Sequence, residues 1–381
     1  MKTSSRSGVT LLELLVAFII FVLMIGALVS LANTGLDTWT SGEGRKDIYD
    51  RAQMILRTVT EDLRGTVVEN EIATDGRQEL MPATLLCDFD KNRSLRLRLV
   101  RSGDMDRVKV PPSLQITKRT PSMYTGDFWE VAYVPHSDGS MNTLYRAVRY
   151  FDRRREYTLL RDEDIAWSGS EWFQRHATVL DRGVLFLGFR SWTQDTETWL
   201  PAGSRVHTCS VARHRSLVQL AGPGKCPVCQ RPTVERVVQA SEAASELWDS
   251  TRRLEQGFRY HKRRQDPADP DFVYPEIVQV VLVLESHASE IRGLRLDAPV
   301  GESDMVIRVT DTRGLSDPPG FVKIDSEWIE YEGRTYDEMR VRRRGSRGTK
   351  AAAHPQGSIV RFGETFVTEV RMPAFRHATV K

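Results

Sequence analysis

The strongest constraint on this chain is one carboxylate at the edge of an apolar run. Residues 14–32 carry no charge and no proline, and Glu13 stands directly before them. At about 1.5 Å per residue in a helix, the run spans roughly 28 Å, close to a hydrocarbon core of about 30 Å. It exceeds the 7–15-residue core of a cleaved secretory signal, and no A-x-A-like site follows it. A plain signal-anchor explains the length but not the charge. A charge in such a segment is costly, about 2.5–3.5 kcal/mol at the centre of a membrane helix on insertion scales, so a chain that keeps Glu13 at its edge has a use for it. Lys2 and Arg6 precede the run. By the positive-inside rule the N-terminus is cytoplasmic and the remainder lies outside.

The residues Gly8-Val9-Thr10-Leu11-Leu12-Glu13 carry a resemblance. They resemble the leader junction of type IV prepilins and type II secretion pseudopilins: a short basic leader ending in Gly, an apolar first mature residue, and Glu at the fifth. Val9 departs mildly from the usual Phe or Met. The resemblance implies that a prepilin peptidase cleaves between Gly8 and Val9 and that the new amino group of Val9 is methylated. It also implies that Glu13 attracts the cationic N-terminus of a neighbouring subunit during fibre assembly. The physics agrees, because an ammonium and a carboxylate attract strongly in low dielectric and an unpaired one is penalised.

Composition narrows the rest. The chain has 381 residues, room for one large or two to three small domains. Lys and Arg number 54 against 51 Asp and Glu, a formal charge of +3. Loss of residues 1–8 would remove Lys2 and Arg6 and leave a nearly neutral chain. That argues against bulk electrostatic binding of nucleic acid. Arginine clusters at 153–155, 252–253, 262–264 (with Lys262) and 342–344, among interspersed acids, read as solvated faces. The four cysteines do not make a disulfide-rich scaffold, and Cys87, standing alone, reads as a buried apolar residue.

Along the chain, Gly35, Gly42 and Gly44 are expected to loosen the helix as it leaves the membrane. Ile48, Ala52, Ile55, Val59 and Leu63 then repeat at intervals of three and four, with Arg51, Arg57, Glu61 and Asp62 on other faces. This is the second half of one long helix, its stripe laid against a sheet. Strand patterns follow at 94–100, where Leu95, Leu97 and Leu99 alternate with Arg96 and Arg98, the period of a half-buried strand. Residues 128–134 and 143–151, around a turn at 137–140, read as a hairpin. Further strands are expected at 184–192, 277–285 and 366–372. Pilins resemble this plan, with a helical stalk packed on a β head.

The order of smaller features resembles the J-type minor pseudopilin of type II secretion. The matching residues are Arg51-Ala52, Asp62-Leu63-Arg64, Phe189-Arg190-Ser191-Trp192 with Trp199, Trp248-Asp249, the valine-rich strand after Pro275, and Val370-Arg371-Met372-Pro373. Other minor pseudopilins are the alternatives.

Two segments exceed a minimal pseudopilin. In residues 207–233, Cys226-Pro227-Val228-Cys229 has metal-knuckle spacing. A structural zinc site takes four ligands. Cys209, Cys226 and Cys229 supply three, and His214 or His207 the fourth. A disulfide, Cys226 to Cys229 or Cys209 to Cys226, and free thiols are the alternatives. The segment resembles a short heavy-metal-binding module through Pro223-Gly224-Lys225-Cys226-Pro227 and Cys229. It departs from that module in the spacing of Cys209 and His214 and in Gln230-Arg231, where the module has Gly-Met. An ion there would be structural, since so short an insert buries little core.

The second segment, residues 300–361, shows strands at 306–309, 321–324 and 327–331 and a turn at 314–320. Its 321–331 and 344–354 stretches resemble a small β module of phage tail and surface proteins. His354 is expected to pack against the turn after Thr349, and Gly345 and Gly348 to permit positive φ.

The expected fold is therefore α+β. The leader is 1–8, and the pilin helix is 9–65 with its transmembrane part at 14–32. The antiparallel β head is 66–299, interrupted by the Cys/His insert at 207–233. The β module is 300–361, and the final strand lies in 362–381. The expected function is a minor pseudopilin, single-pass in the inner membrane with a periplasmic head, at the tip of the pseudopilus. Its partners are the prepilin peptidase, other pseudopilins, the inner-membrane assembly platform and secreted proteins. No nucleophile elbow, P-loop or zincin helix is present, so no enzyme is expected. A minor pilin of an adhesion or DNA-uptake fibre is the alternative.

Overall fold

The protein is described from a computed structural model. It describes residues 11–67, 85–89, 94–103, 128–137, 142–150, 177–193, 196–200, 202–211, 214, 219–220, 223–240, 242–250, 274–285 and 293–373. The arginine clusters at 153–155, 252–253 and 262–264 and most of the turn at 137–140 lie outside these residues. The chain divides into two compact units, Met1–Arg51 and Ala52–Lys381.

One helix, α1, runs unbroken over Leu11–Arg64. Gly35, Gly42 and Gly44 do not interrupt it, contrary to the sequence expectation. Each glycine costs a helix interior only about 1 kcal/mol relative to alanine, and the flanking turns carry it. The stretch Leu14–Leu36 is long and apolar enough to cross a membrane, 23 residues against the expected nineteen. Large side chains along it, such as Phe18, Phe21 and Leu28, are exposed. The later stripe is covered: Ile48, Ala52, Ile55, Val59 and Leu63 are all buried.

The second unit is β-rich, and every ladder between its named strands is antiparallel. The strands are β1 Leu85–Phe89, β2 Leu95–Ser102, β3 Phe128–Ser137, β4 Asn142–Tyr150, β5 Ala177–Arg182 and β6 Val184–Trp192. Then come β7 Arg205–Cys209, β8 Gln219–Leu220, β9 Thr233–Val237, β10 Trp248–Asp249 and β11 Ile277–Glu285. The last six are β12 Val306–Arg308, β13 Gly320–Ile324, β14 Glu327–Arg334, β15 Glu338–Ser346, β16 Val360–Arg361 and β17 Gly363–Arg371. They form four sheets, ordered β10-β1-β2-β3-β4-β5, β17-β11-β6, β12-β15-β14-β13-β16 and β8-β7-β9.

The expected hairpin is β3–β4, with Val131 opposite Val148. Strands β6 and β11 fall where the apolar runs predict them. They pair with Leu187 facing Leu282, and β17 closes the other edge of β11. Two tryptophans brought together after β6, Trp192 and Trp199, lie 4.6 Å apart between ring centroids, and Arg190 donates to the Trp199 carbonyl at 3.0 Å.

Strand β2 departs from the half-buried expectation, because Arg96 and Arg98 are as buried as their leucine neighbours. The opposite strand, β1, supplies the reason. Arg96 Nε and Nη2 donate to the two oxygens of Asp88 at 2.7 and 2.8 Å, and Arg98 also reaches Asp88. Paired in this way, a guanidinium can be taken out of water. Cys87 is fully buried in β1, as expected, and burial pushes its thiol pKa upward.

Asp62 also departs from expectation. It lies at 1% exposure on the covered face of α1, three residues after Val59. Its carboxylate accepts from Arg146 Nε at 2.8 Å and Nη2 at 3.0 Å, from Arg101, and from the Tyr133 hydroxyl. Those three come from β4, β2 and β3, so one helical acid fastens α1 across the middle of the six-stranded sheet. Burial, with the Asp62 charge, raises the Tyr133 hydroxyl pKa well above that of an ordinary phenol.

The five-stranded sheet has its own apolar core, which includes Leu296, Ile307, Val322, Ile324, Ile329, Tyr331 and Val341. Gly345 and Gly348 take φ of 61° and 79°, as their turns require. His354 is buried. Its ring is held between two carboxylates, with Nδ1 2.8 Å from Asp325 Oδ2 and Nε2 2.8 Å from Glu327 Oε2. Arg344 is not on a solvated face either. It donates to both oxygens of the fully buried Glu327 at 2.8 Å, while Arg342 and Arg343 pair with Glu330.

Candidate metal centre

The three-stranded sheet β8-β7-β9 is poor in apolar residues. Its clusters are Val206 with Val238 and Ala243, and Cys209 with Cys226, Val211, Leu220 and Cys229. The cysteines themselves form a large part of what is buried.

Backbone pairing brings them together. In the β7–β9 ladder, Cys209 at the end of β7 lies opposite Thr233 at the start of β9. Ahead of Thr233 the chain folds into a tight loop closed by a bridge between Lys225 and Pro232. The Cys226 N–H donates to the Arg231 carbonyl, and the Gln230 N–H to the Cys226 carbonyl, each at 2.8 Å. Thr233 fastens the base of the loop through its hydroxyl and N–H to Gly224. Cys226 and Cys229 sit in this turn. Gln230, just after them, has φ of 58°, the left-handed region that favours glycine. The His214 N–H donates to the Val211 carbonyl at 2.9 Å, which sets its ring beside the thiols.

The result is a compact set of four ligand atoms, from Cys209, His214, Cys226 and Cys229, all within 4.8 Å of one another. Cys209 Sγ lies 3.4 Å from Cys229 Sγ and 3.9 Å from His214 Nδ1, and Cys226 Sγ lies 4.0 Å from that nitrogen. A tetrahedral ion about 2.3 Å from sulfur and about 2.0–2.1 Å from nitrogen sets its ligand atoms roughly 3.5–3.8 Å apart. The cluster is therefore the right size for a metal ion. It is too wide for a disulfide, in which sulfurs bond at about 2.0 Å, and all four cysteines are free. His207, the other histidine considered, is not in the cluster.

The surroundings act on two of the thiols in opposite directions. The Val211 N–H donates to Cys209 Sγ at 3.4 Å. Burial raises the Cys226 pKa most, but the backbone N–H groups of Cys229 and Val228, with the neighbouring thiols, lower it below that of an ordinary thiol. At Cys209 the Val211 N–H lowers the pKa, and burial with the other two thiols raises it above the ordinary value. Cys209, Cys226 and His214 are buried and only Cys229 is half-exposed. Four protein ligands leave no open position for substrate, which is the composition of a structural site.

The other expected site residues fall differently. Gly8 and Val9 lie outside the described residues, and Glu13 lies on the backbone of α1. Sequence reasoning missed the buried charged groups around Asp62 and Glu327. Asp62 was detectable, because it sits three residues after Val59 and seven after Ile55, on the stripe. Glu327 carried no such signal, since its partners come from distant turns.

No family model matches the chain, and no curated protein or solved structure is significantly similar to it.

Proposed function

We propose that the protein is a membrane-anchored minor pseudopilin, closest to the J-type, that joins the tip of a type II secretion-like pseudopilus. The observation that carries this reading is the division of α1. Its 23-residue stretch Leu14–Leu36 is bare and long enough to cross a bilayer, and one face of its last turns is buried and fastened to a sheet by Asp62. A helix that must leave a membrane under load needs such a fastening, because pulling on the head then pulls on the stalk. The Gly8–Glu13 spacing supplies the processing and assembly chemistry.

In this reading the peptidase cuts at Gly8–Val9 on the cytoplasmic face of the inner membrane, and the head is periplasmic. The amine of Val9 in one subunit neutralises Glu13 of its neighbour, which removes the cost of a carboxylate in lipid and fixes the axial register. The β8-β7-β9 sheet and the five-stranded sheet are modules inserted in the head. The first is held by zinc, because tetrahedral Cys₃His ligation suits that ion, and the binding free energy would supply what its small core does not.

The test is Glu13→Ala in cells that carry the cognate peptidase. Cleavage is expected to persist, because the junction is kept, while incorporation into the fibre falls sharply. Normal incorporation of the variant would remove the assembly role.

A further inference from the structure

Where the five-stranded sheet meets the six-stranded sheet and β6, the second unit has a partly open cavity of about 430 Å³, within the usual range for ligand sites. One wall comes from the six-stranded sheet, through Leu95, His136 and Asn142. Another comes from β6, through Phe186 and Leu187. The third is the five-stranded sheet with the turn after β15, which contribute two cations, Lys323 on β13 and Arg347 in the turn.

Neither cation has a carboxylate partner among the described residues. Lys323 is 9% exposed, and its ammonium donates to Asn142 Oδ1 at 2.6 Å. Arg347 lies over three aromatic rings, 4.3 Å from the centroids of Phe321 and Trp328 and 4.5 Å from Phe186. Its Nη1 is buried with no hydrogen-bond partner. The nearby acids are engaged elsewhere. Asp325 lines the cavity but is held by His354 Nδ1 at 2.8 Å, and Glu285 is held by Arg361 at 2.8 Å. Asp62, Asp88 and Glu327 each hold a buried arginine side chain elsewhere in the chain. A buried ammonium and a half-buried guanidinium that face one cavity with no carboxylate paired to either are costly unless an anion arrives. Burial, followed by Arg361, lowers the Lys323 pKa to about 8, and burial with Arg190 lowers that of Arg347 to about 9.

We propose that this cavity binds the carboxylate of a small amphipathic acid, with the anion against Lys323 and Arg347 and the apolar body against Phe186, Leu187 and Trp328. The aromatic faces around Arg347 leave few donors for a second negative charge, so a monoanion fits better than a phosphate dianion. The carboxylate comes either from a free small acid or from the C-terminus of a peptide. The inference does not rest on the pseudopilin reading.

The test is calorimetric titration of the purified full chain in detergent with indole-3-acetate, indole-3-acetamide, Gly-Gly-Phe and Gly-Gly-Phe amide. Saturable binding of either acid, with its amide at least about tenfold weaker, supports the site, and the tighter acid identifies the source. Lys323→Met keeps the length of the side chain and removes the charge, so it is expected to keep the fold and lose at least about tenfold in affinity. At pH 9 binding should take up protons, read as a dependence of the heat on the buffer, because an anion stabilises protonated Lys323. That readout uses the unaltered chain and needs no variant. Equal binding of acids and amides, no binding below about 10 mM, or no proton uptake at pH 9 would each overturn the proposal.

Discussion

Arg146 on β4 meets the carboxylate of Asp62 on α1 with two nitrogens, at 2.8 and 3.0 Å, where both side chains are buried. Arg101 and Tyr133 complete the same group. Breaking a buried pair from one side costs more than the pair contributes, because a desolvated charge is left behind.

Asp62→Ala is therefore expected to destabilise the protein by about 3–5 kcal/mol, read as a lower urea midpoint of the full chain in detergent. Adding Arg146→Met should recover part of the loss. A midpoint unchanged in Asp62→Ala would mean that this group does not hold α1 to the sheet.

Much of this framework was legible from local patterns. The stripe from Ile48 to Leu63 and the apolar runs of β6 and β11 report on burial directly, and the structure covers them. What escaped was polar burial. The alternation of Arg96 and Arg98 with leucine gave the strand, but not the acid on β1 that lets both faces be covered. In the same way, the spacing of Cys226 and Cys229 marked the knuckle, whereas the choice of His214 over His207 depends on how the chain turns after β7. Both outcomes are set by partners distant in sequence, which no local period encodes.

The knuckle yields a metal prediction. The protein should carry about one equivalent of zinc, and the Cys226→Ser, Cys229→Ser double variant none, measured by elemental analysis after dialysis. Chelation should lower the melting temperature of the unaltered protein and leave that of the variant unmoved. Equal zinc in both would end the assignment.

At Gln230 a non-glycine residue occupies the left-handed region, which costs roughly 1–2 kcal/mol. Gln230→Gly should stabilise the zinc-loaded knuckle and slow loss of the ion to a chelator. The side chain's long 3.3 Å hydrogen bond to the Pro227 carbonyl is a small offset. Faster zinc loss in the variant would contradict the argument.

His354 and Glu327 give a pH dependence. Burial opposes charge on both. Arg344, His354 and the backbone N–H groups of Gly345 and Ala352 nevertheless lower Glu327 to about 2, and Glu327 and Asp325 raise His354. The depressed acid adds stability above its unfolded pKa and loses it as pH falls toward 2. The raised histidine adds stability below its unfolded pKa, near 6.5, and loses it as pH rises through the folded value. The stability gap between the unaltered protein and His354→Asn should therefore be widest near pH 5–6 and narrow as pH rises, read from urea midpoints across that range. A gap that grows with pH would contradict the ion pair.

The most direct measurement is the intact mass of the protein expressed with and without the cognate prepilin peptidase. The account predicts that the peptidase removes residues 1–8 and that the product, beginning at Val9, carries one added methyl group. A full-length mass under both conditions would contradict the processing on which the pseudopilin reading depends.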